Sequence, residues 1–123
     1  MRLMRSAVAP HIDYGFLHGV DKNSTNFVPS DIDGVIERNG VFLFLEWKQF
    51  LEDMQEGQEK MLMALAKKPD VFVVKIIGHT THETPIIEEF SLIKNNKWVS
   101  QGTTLAQFYE FYKRWLTYAT NKK

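Results

Sequence analysis

Asp33, Glu46 and Lys48 are the residues whose types and spacing could do hydrolytic chemistry together. They flank Asn39-Gly40, which separates two β-prone runs, Ile32 to Arg38 and Val41 to Lys48. Asn-Gly in that setting is a strong hairpin signal, because a two-residue type I′ turn needs positive φ at both central positions. With Arg38 facing Val41, the pairing predicts Val35 opposite Phe44, Asp33 opposite Glu46 and Asp31 opposite Lys48. Side chains alternate along a strand, so those pairs share one face, while Ile36 with Leu43 and Ile32 with Trp47 share the other.

Opposed residues hold their Cβ atoms about 5 Å apart, so two carboxylates placed there repel each other. A divalent cation compensates that repulsion. Mg²⁺ is a hard ion that takes one or two protein carboxylates and fills its remaining positions with water and substrate phosphate oxygens. Such an ion lowers the pKa of a water and stabilises charge on the phosphorus oxygens during in-line attack. Lys48, two residues past Glu46 on that face, can orient the water or neutralise the transition state. The competing reading of Glu-x-Lys is a solvent-facing ion pair, which is common and contributes little. Context favours the first reading: the apolar run Val41 to Leu45 belongs in a sheet interior, and a charge at the end of a buried strand usually has a function or a partner.

In Pro29-Ser30-Asp31-Ile32-Asp33, the hairpin and Glu46-Trp47-Lys48, followed by a helix and an apolar strand, the chain resembles the PD-(D/E)XK nuclease superfamily. That superfamily includes restriction endonucleases, archaeal-type Holliday junction resolvases and related phage and repair enzymes. The likeness covers roughly residues 29 to 77. It implies a restriction-endonuclease-like core that hydrolyses DNA phosphodiesters with Mg²⁺, for which Mn²⁺ substitutes. Asp33 and Glu46 would bind the metal, and Lys48 would assist the nucleophilic water. Asp31 would be a second-choice ligand or an orienting partner for Lys48. Similar nucleases often carry a glutamine on the helix after the Glu-x-Lys strand, and Gln58 takes that place. Members often carry a further acid on an N-terminal helix. No Glu precedes Glu37 here; Asp13 or Asp21 could substitute, but the turn-residue reading of each is the stronger one.

The elements that must position these residues follow from periodicity and punctuation. From Gln55 to Lys68 the apolar positions Met61, Leu62, Leu65 and Ala66 recur at helical spacing, and Pro69 ends the segment. Gln58 lies on that stripe. Val71 to Ile77 is β-branched and apolar on both faces, which predicts a central strand parallel to a neighbour reached through the preceding helix. Ile86 to Leu92 and Trp98-Val99 predict a second hairpin turning at Asn95-Asn96. Thr104 to Gln107 fits a capping box opening a helix through Leu105, Phe108, Tyr112 and Trp115. Residues 1 to 9 read as a short helix ended by Pro10, and 11 to 28 resist assignment. The expected fold is α/β, a central mixed β-sheet flanked by helices, in a single nuclease-like domain over residues 1–123.

Other chemistry-bearing residues carry weaker signals. Lys75 interrupts an apolar strand and either reaches a phosphate or snorkels at the sheet margin. Lys67 and Lys68 are a further candidate nucleic-acid contact, against the plainer reading of solvated surface. His79 and His82 with Glu83 invite a zinc reading, but the spacing does not fit a helical His-Glu-x-x-His. His11 and His18 could act as acid or base near a cleft. Phe108, Phe111, Tyr112 and Trp115 could stack on bases, although helical spacing favours core packing or a dimer interface.

Composition bounds the answer. Fifteen basic residues balance fifteen acidic ones, so no global field draws the chain onto a polyanion, and attraction to DNA must be local. The absence of cysteine excludes disulfides, thiolate zinc sites and a cysteine nucleophile. No apolar run approaches membrane-spanning length, and the first residues lack a signal-peptide core, so a cytoplasmic protein with no membrane partner is expected. So small a nuclease has limited surface for gripping DNA, and a homodimer would double it. A non-catalytic nucleic-acid-binding or protein-binding module that keeps the nuclease fold is the alternative, supported by the missing upstream Glu and the zero net charge.

Overall fold

The computed structural model describes residues 12–23, 28–80 and 84–123. The chain divides into two units, residues 1–31 and 32–123. In the first, a 3₁₀ turn spans Gly15–Leu17. Asp13 accepts the Gly15 N–H at 2.8 Å and Asp21 accepts the Asn23 N–H at 3.0 Å. Both acids therefore serve as Asx-turn residues. The helix expected over residues 1 to 9 lies outside the described residues.

The second unit is a mixed five-stranded sheet with two helices: β1 (Gly34–Arg38), β2 (Val41–Lys48), α1 (Glu56–Ala66), β3 (Val71–His79), β4 (Ile86–Lys94), β5 (Lys97–Gly102) and α2 (Leu105–Thr120). Strand order follows the chain, β1-β2-β3-β4-β5. Asn39 at φ 53° and Gly40 at φ 82° make the β1–β2 turn, whose Gly40 N–H donates to the Glu37 carboxylate at 2.8 Å. The register is the expected one, with Arg38 opposite Val41, Ile36 opposite Leu43 and Val35 opposite Phe44.

α1 carries the chain from the end of β2 back to the start of β3, and the two strands pair in parallel, with Glu46 beside Lys75. Such a crossover needs a helix-length connection, and Pro69 cannot prolong the helix. Asp70 follows at φ 59°, turning its carbonyl onto the Phe42 N–H at 2.8 Å, which starts the ladder. The β4–β5 hairpin turns at Asn95 and Asn96, both in the left-handed region. At Gly78 the β3–β4 register shifts, and a Cβ there would overlap the Ile86 carbonyl. Glycine is required at that bulge.

Each sheet face has its own core. On one, Val41, Leu43, Val74, Ile76 and Phe90 meet Phe111, Trp115 and Ala119 of α2. That helix opens with the expected capping box between Thr104 and Gln107. Phe108, Tyr112 and Trp115 stack along α2 at centroid spacings of 6.4 and 6.1 Å and pack against this core, which places them away from a base-stacking role. On the other face, Leu62 of α1 is buried with Val73 and Ile93. Fully burying a Leu or Ile side chain contributes about 1.5 to 3 kcal/mol, so each face depends on its helix.

The hairpin also caps α2. The Asn39 amide donates to the Ala119 and Thr120 carbonyls at 3.0 and 3.3 Å, and Arg38 Nη1 donates to Thr120 Oγ1 at 3.0 Å. The two amide bonds add donors to carbonyls at the helix end, where the Ala119 carbonyl also accepts the Lys122 N–H at 3.3 Å. Asn39→Ala loses the left-handed preference and the cap, and is expected to lower the unfolding free energy by about 2 kcal/mol; Asn39→Gly loses only the amide, about 1 kcal/mol. Urea denaturation of both variants checks this, and undiminished stability of Asn39→Gly would show that the cap contributes nothing.

Candidate active site

β2 ends in the sequence that carries the chemistry. Its even-numbered residues face α1, so Glu46 and Lys48 emerge on that side beyond Phe44, which packs at the edge of the α1 core. Glu46 is only 5% exposed, and few carboxylates are so enclosed unless they are paired.

Asp33 joins Glu46 by a route that differs from the expected one. The paired ladder begins at Gly34 opposite Leu45, so Asp33 and Asp31 precede the strand and are not ladder partners of Glu46 and Lys48. Continued pairing would offer the Trp47 N–H the carbonyl of Ile32. Instead the Asp33 carboxylate accepts that N–H through Oδ2 at 2.8 Å. A short acidic side chain competes well for a nearby backbone donor, and here it ends the strand. The Asp33 backbone in turn hydrogen-bonds the Glu46 carboxylate. Two side-chain-to-backbone bonds thus lock the acids next to each other.

Two groups answer that negative charge. Lys48 Nζ lies 3.8 Å from Glu46 Oε2, with the lysine side chain only 13% exposed. From α1, Gln58 Nε2 donates to the same Oε2 at 2.7 Å. Burial nevertheless pushes the Glu46 carboxyl above its ordinary 4.5, and the Asp33 charge pushes the same way, against the lowering by Lys48, Gln58 and the Asp33 backbone. The site holds more negative charge than its own lysine and amide offset.

Among the described residues no group of three or more His, Cys, Asp or Glu side chains is placed to hold a metal ion. The donor set is two carboxylates. It fits an ion that keeps most of its water, as Mg²⁺ does, and not one that needs an all-protein cage. His82 and Glu83, the partners of His79 in the zinc reading, lie outside the described residues, as does His11. His18 follows the 3₁₀ turn of the first unit and is exposed. Asp31 also belongs to that unit.

The lysines separate. Lys75 shares the α1 face and sits beside Glu46 in the parallel register, but its ammonium lies over the Trp98 ring, 4.6 Å from the centroid. Trp98 Nε1 donates to Glu59 of α1 at 3.1 Å. Sequence reasoning missed this Lys75–Trp98–Glu59 arrangement, since no local pattern links residues on three different elements. Lys67 and Lys68 follow the C-terminal end of α1, nine or more residues beyond Gln58. At 1.5 Å per residue that is about 13 Å along the helix from Gln58.

No family model, curated protein or solved structure matches the chain.

The raised Glu46 pKa has a consequence for stability. Between its ordinary value of 4.5 and its raised value, the folded protein binds a proton that the unfolded chain has released. That contribution is complete below the ordinary value and is lost as pH rises through the raised one. Glu46→Gln is therefore expected to flatten this part of the pH–stability profile and to leave the protein at least as stable at neutral pH. Thermal unfolding from about pH 4 to pH 8 measures it. An unchanged slope in the variant would mean that Glu46 titrates normally.

Proposed function

We propose that residues 32–123 form a Mg²⁺-dependent nuclease domain that hydrolyses DNA phosphodiester bonds. The observation that carries this reading is the buried Glu46 carboxylate held against Asp33, with Lys48 3.8 Å away. A pair formed only for stability would not bring a second carboxylate beside a buried first one, because the added repulsion is unfavourable. A divalent cation turns that conflict into a binding site.

Asp33 and Glu46 would hold the ion, which supplies Lewis-acid stabilisation of the phosphoryl oxygens and lowers the pKa of the attacking water. Lys48 donates to the phosphoryl oxygen on which charge develops, or aims the water. Its low exposure and its ion pair with Glu46 keep the ammonium preorganised, the condition under which such a charge is most effective. Gln58 acts through Glu46: its bond to Oε2 fixes the carboxylate orientation. Lys75, Lys67 and Lys68 would serve as phosphate contacts further along a strand, Lys75 by leaving its place over Trp98. A small substrate-gripping surface suits a homodimer, and a cytoplasmic location goes with DNA as substrate.

The lack of surplus positive charge favours one competing reading, a module of the same fold that binds nucleic acid or protein without cutting it. No helix among the described residues is long and apolar enough to cross a membrane.

Labelled branched, duplex and single-stranded DNAs incubated with and without Mg²⁺ test the proposal. Cleavage is expected only with Mg²⁺ or Mn²⁺, and Asp33→Asn or Lys48→Ala should slow it by about 10²- to 10³-fold. The fold should survive both changes, since Asn keeps an oxygen for the Trp47 N–H and Lys48 ends its strand. Retained cleavage in both variants would remove the mechanism. Calorimetric absence of Mg²⁺ uptake together with intact DNA binding would favour the non-cutting module.

A further inference from the structure

The connection from β2 to α1, residues 49–55, holds two large apolar side chains in water. Phe50 is 67% exposed and Leu51 is 84% exposed. Three residues on, Met54 packs against the Leu62, Val73 and Ile93 core. The same short loop thus buries one apolar side chain and presents two others.

That presentation is built. The Glu52 N–H donates to the Gln49 carbonyl at 3.0 Å, and the Gln49 N–H donates back to the Glu52 carboxylate at 2.8 Å. Leu51 stands at φ 66°, in the left-handed region that a bulky L-residue rarely adopts. Backbone strain of this kind persists where the surroundings over-determine it, and it clusters at binding sites. Left to the hydrophobic effect, Phe50 and Leu51 would turn inward. Here a strained, doubly hydrogen-bonded turn keeps them outward.

The position of the tip indicates its occupant. Phe50 lies two positions past Lys48, so their Cα atoms lie within about 7 Å, roughly two base steps along one strand of a duplex. Glu52 and Asp53 follow the tip directly and disfavour an anionic lipid surface. They also repel phosphates. An uncharged aromatic face beside a phosphate-directed lysine matches a nucleobase, which offers a π-face whatever its identity.

We propose that Phe50 and Leu51 form an apolar wedge that enters the base stack of a strand whose phosphate lies at Lys48. Apolar side chains inserted between base steps unstack them, and unstacking is easiest where pairing is already interrupted. The substrate class is therefore DNA with a discontinuity: a duplex end, a nick or a branch point. This rests on the nuclease reading for the placement of the strand, but base contact can be measured without cleavage.

The test uses forked DNA with 2-aminopurine at the branch point, bound by the Glu46→Gln protein so that cutting does not interfere. Binding is expected to raise the 2-aminopurine fluorescence. Adding Phe50→Ala and Leu51→Asn should abolish the rise and weaken fork binding by about tenfold, with Tm not lowered. Asn tolerates the left-handed position, and Phe50→Trp alone should keep the rise, which separates loss of the wedge from loss of the fold. An undiminished rise in the double variant would overturn the proposal. So would an oligomeric state or a vesicle affinity that disappears with the double substitution, because the tip would then be a self-contact or a lipid contact. If the tip-dependent rise occurs in a protein that never cuts DNA, the nuclease reading fails and the wedge stands. Metal-dependent cutting with a tip-independent signal gives the reverse.

Discussion

Asn39 does two things that are hard to separate. Its backbone, with Gly40, closes a two-residue turn, and a turn of that length permits one register for the strands on either side. Its side chain reaches the last carbonyls of α2. One residue therefore sets which side chains of β2 face each helix and holds the end of the helix that covers the opposite face. A slip of one position would carry Glu46 and Lys48 into the apolar layer under α2 and bring Leu43 out of it. The cost of burying those charges without partners makes the alternative inaccessible.

With the register set, the two sheet faces play different parts. The α2 face is an aromatic and aliphatic layer, where Phe90 meets Phe108 and Phe111 edge-on at 5.3 and 5.7 Å. The α1 face is apolar only over part of its length. Phe44, Val73 and Ile93 meet Leu62, but beyond them the strands turn polar, to Glu46, Lys48 and Lys75. The first turn of α1 brings Gln58 and Glu59 over that polar end. α1 thus both seals a small core and carries the amide and carboxylate that organise the polar groups beside it.

The polar end is where local rules conflict. An enclosed carboxylate with another carboxylate next to it raises the free energy of the ionised fold, and Lys48 with Gln58 offsets only part of that. Agreement between local preference and global fold is the norm elsewhere in the second unit, from the capping box of α2 to the Asn-Asn turn of the second hairpin. Exceptions in an otherwise consistent chain are expected where stability is given up for function. The left-handed Leu51 is another exception, and it lies just past the end of the same strand.

The sequence by itself determined the elements and their pairing. Asn39-Gly40, the helical stripe ending at Pro69, the β-branched run from Val71 and the Thr104–Gln107 box are signals between residues a few positions apart, and the backbone answers them locally. That sufficed for the strand register, the parallel crossover and the face that Glu46 and Lys48 share. Only the tertiary structure decided that the Asp33 carboxylate would take the Trp47 N–H and stop β1 at Gly34, and that Gln58 would meet Glu46. It also turned Lys75 over Trp98 and left Lys67 and Lys68 at the far end of α1. These outcomes depend on side-chain donors and acceptors from separate elements competing for one another at distances near 3 Å. Periodicity fixes which face a residue occupies, but a hydrogen bond is settled only when every competing partner is in place.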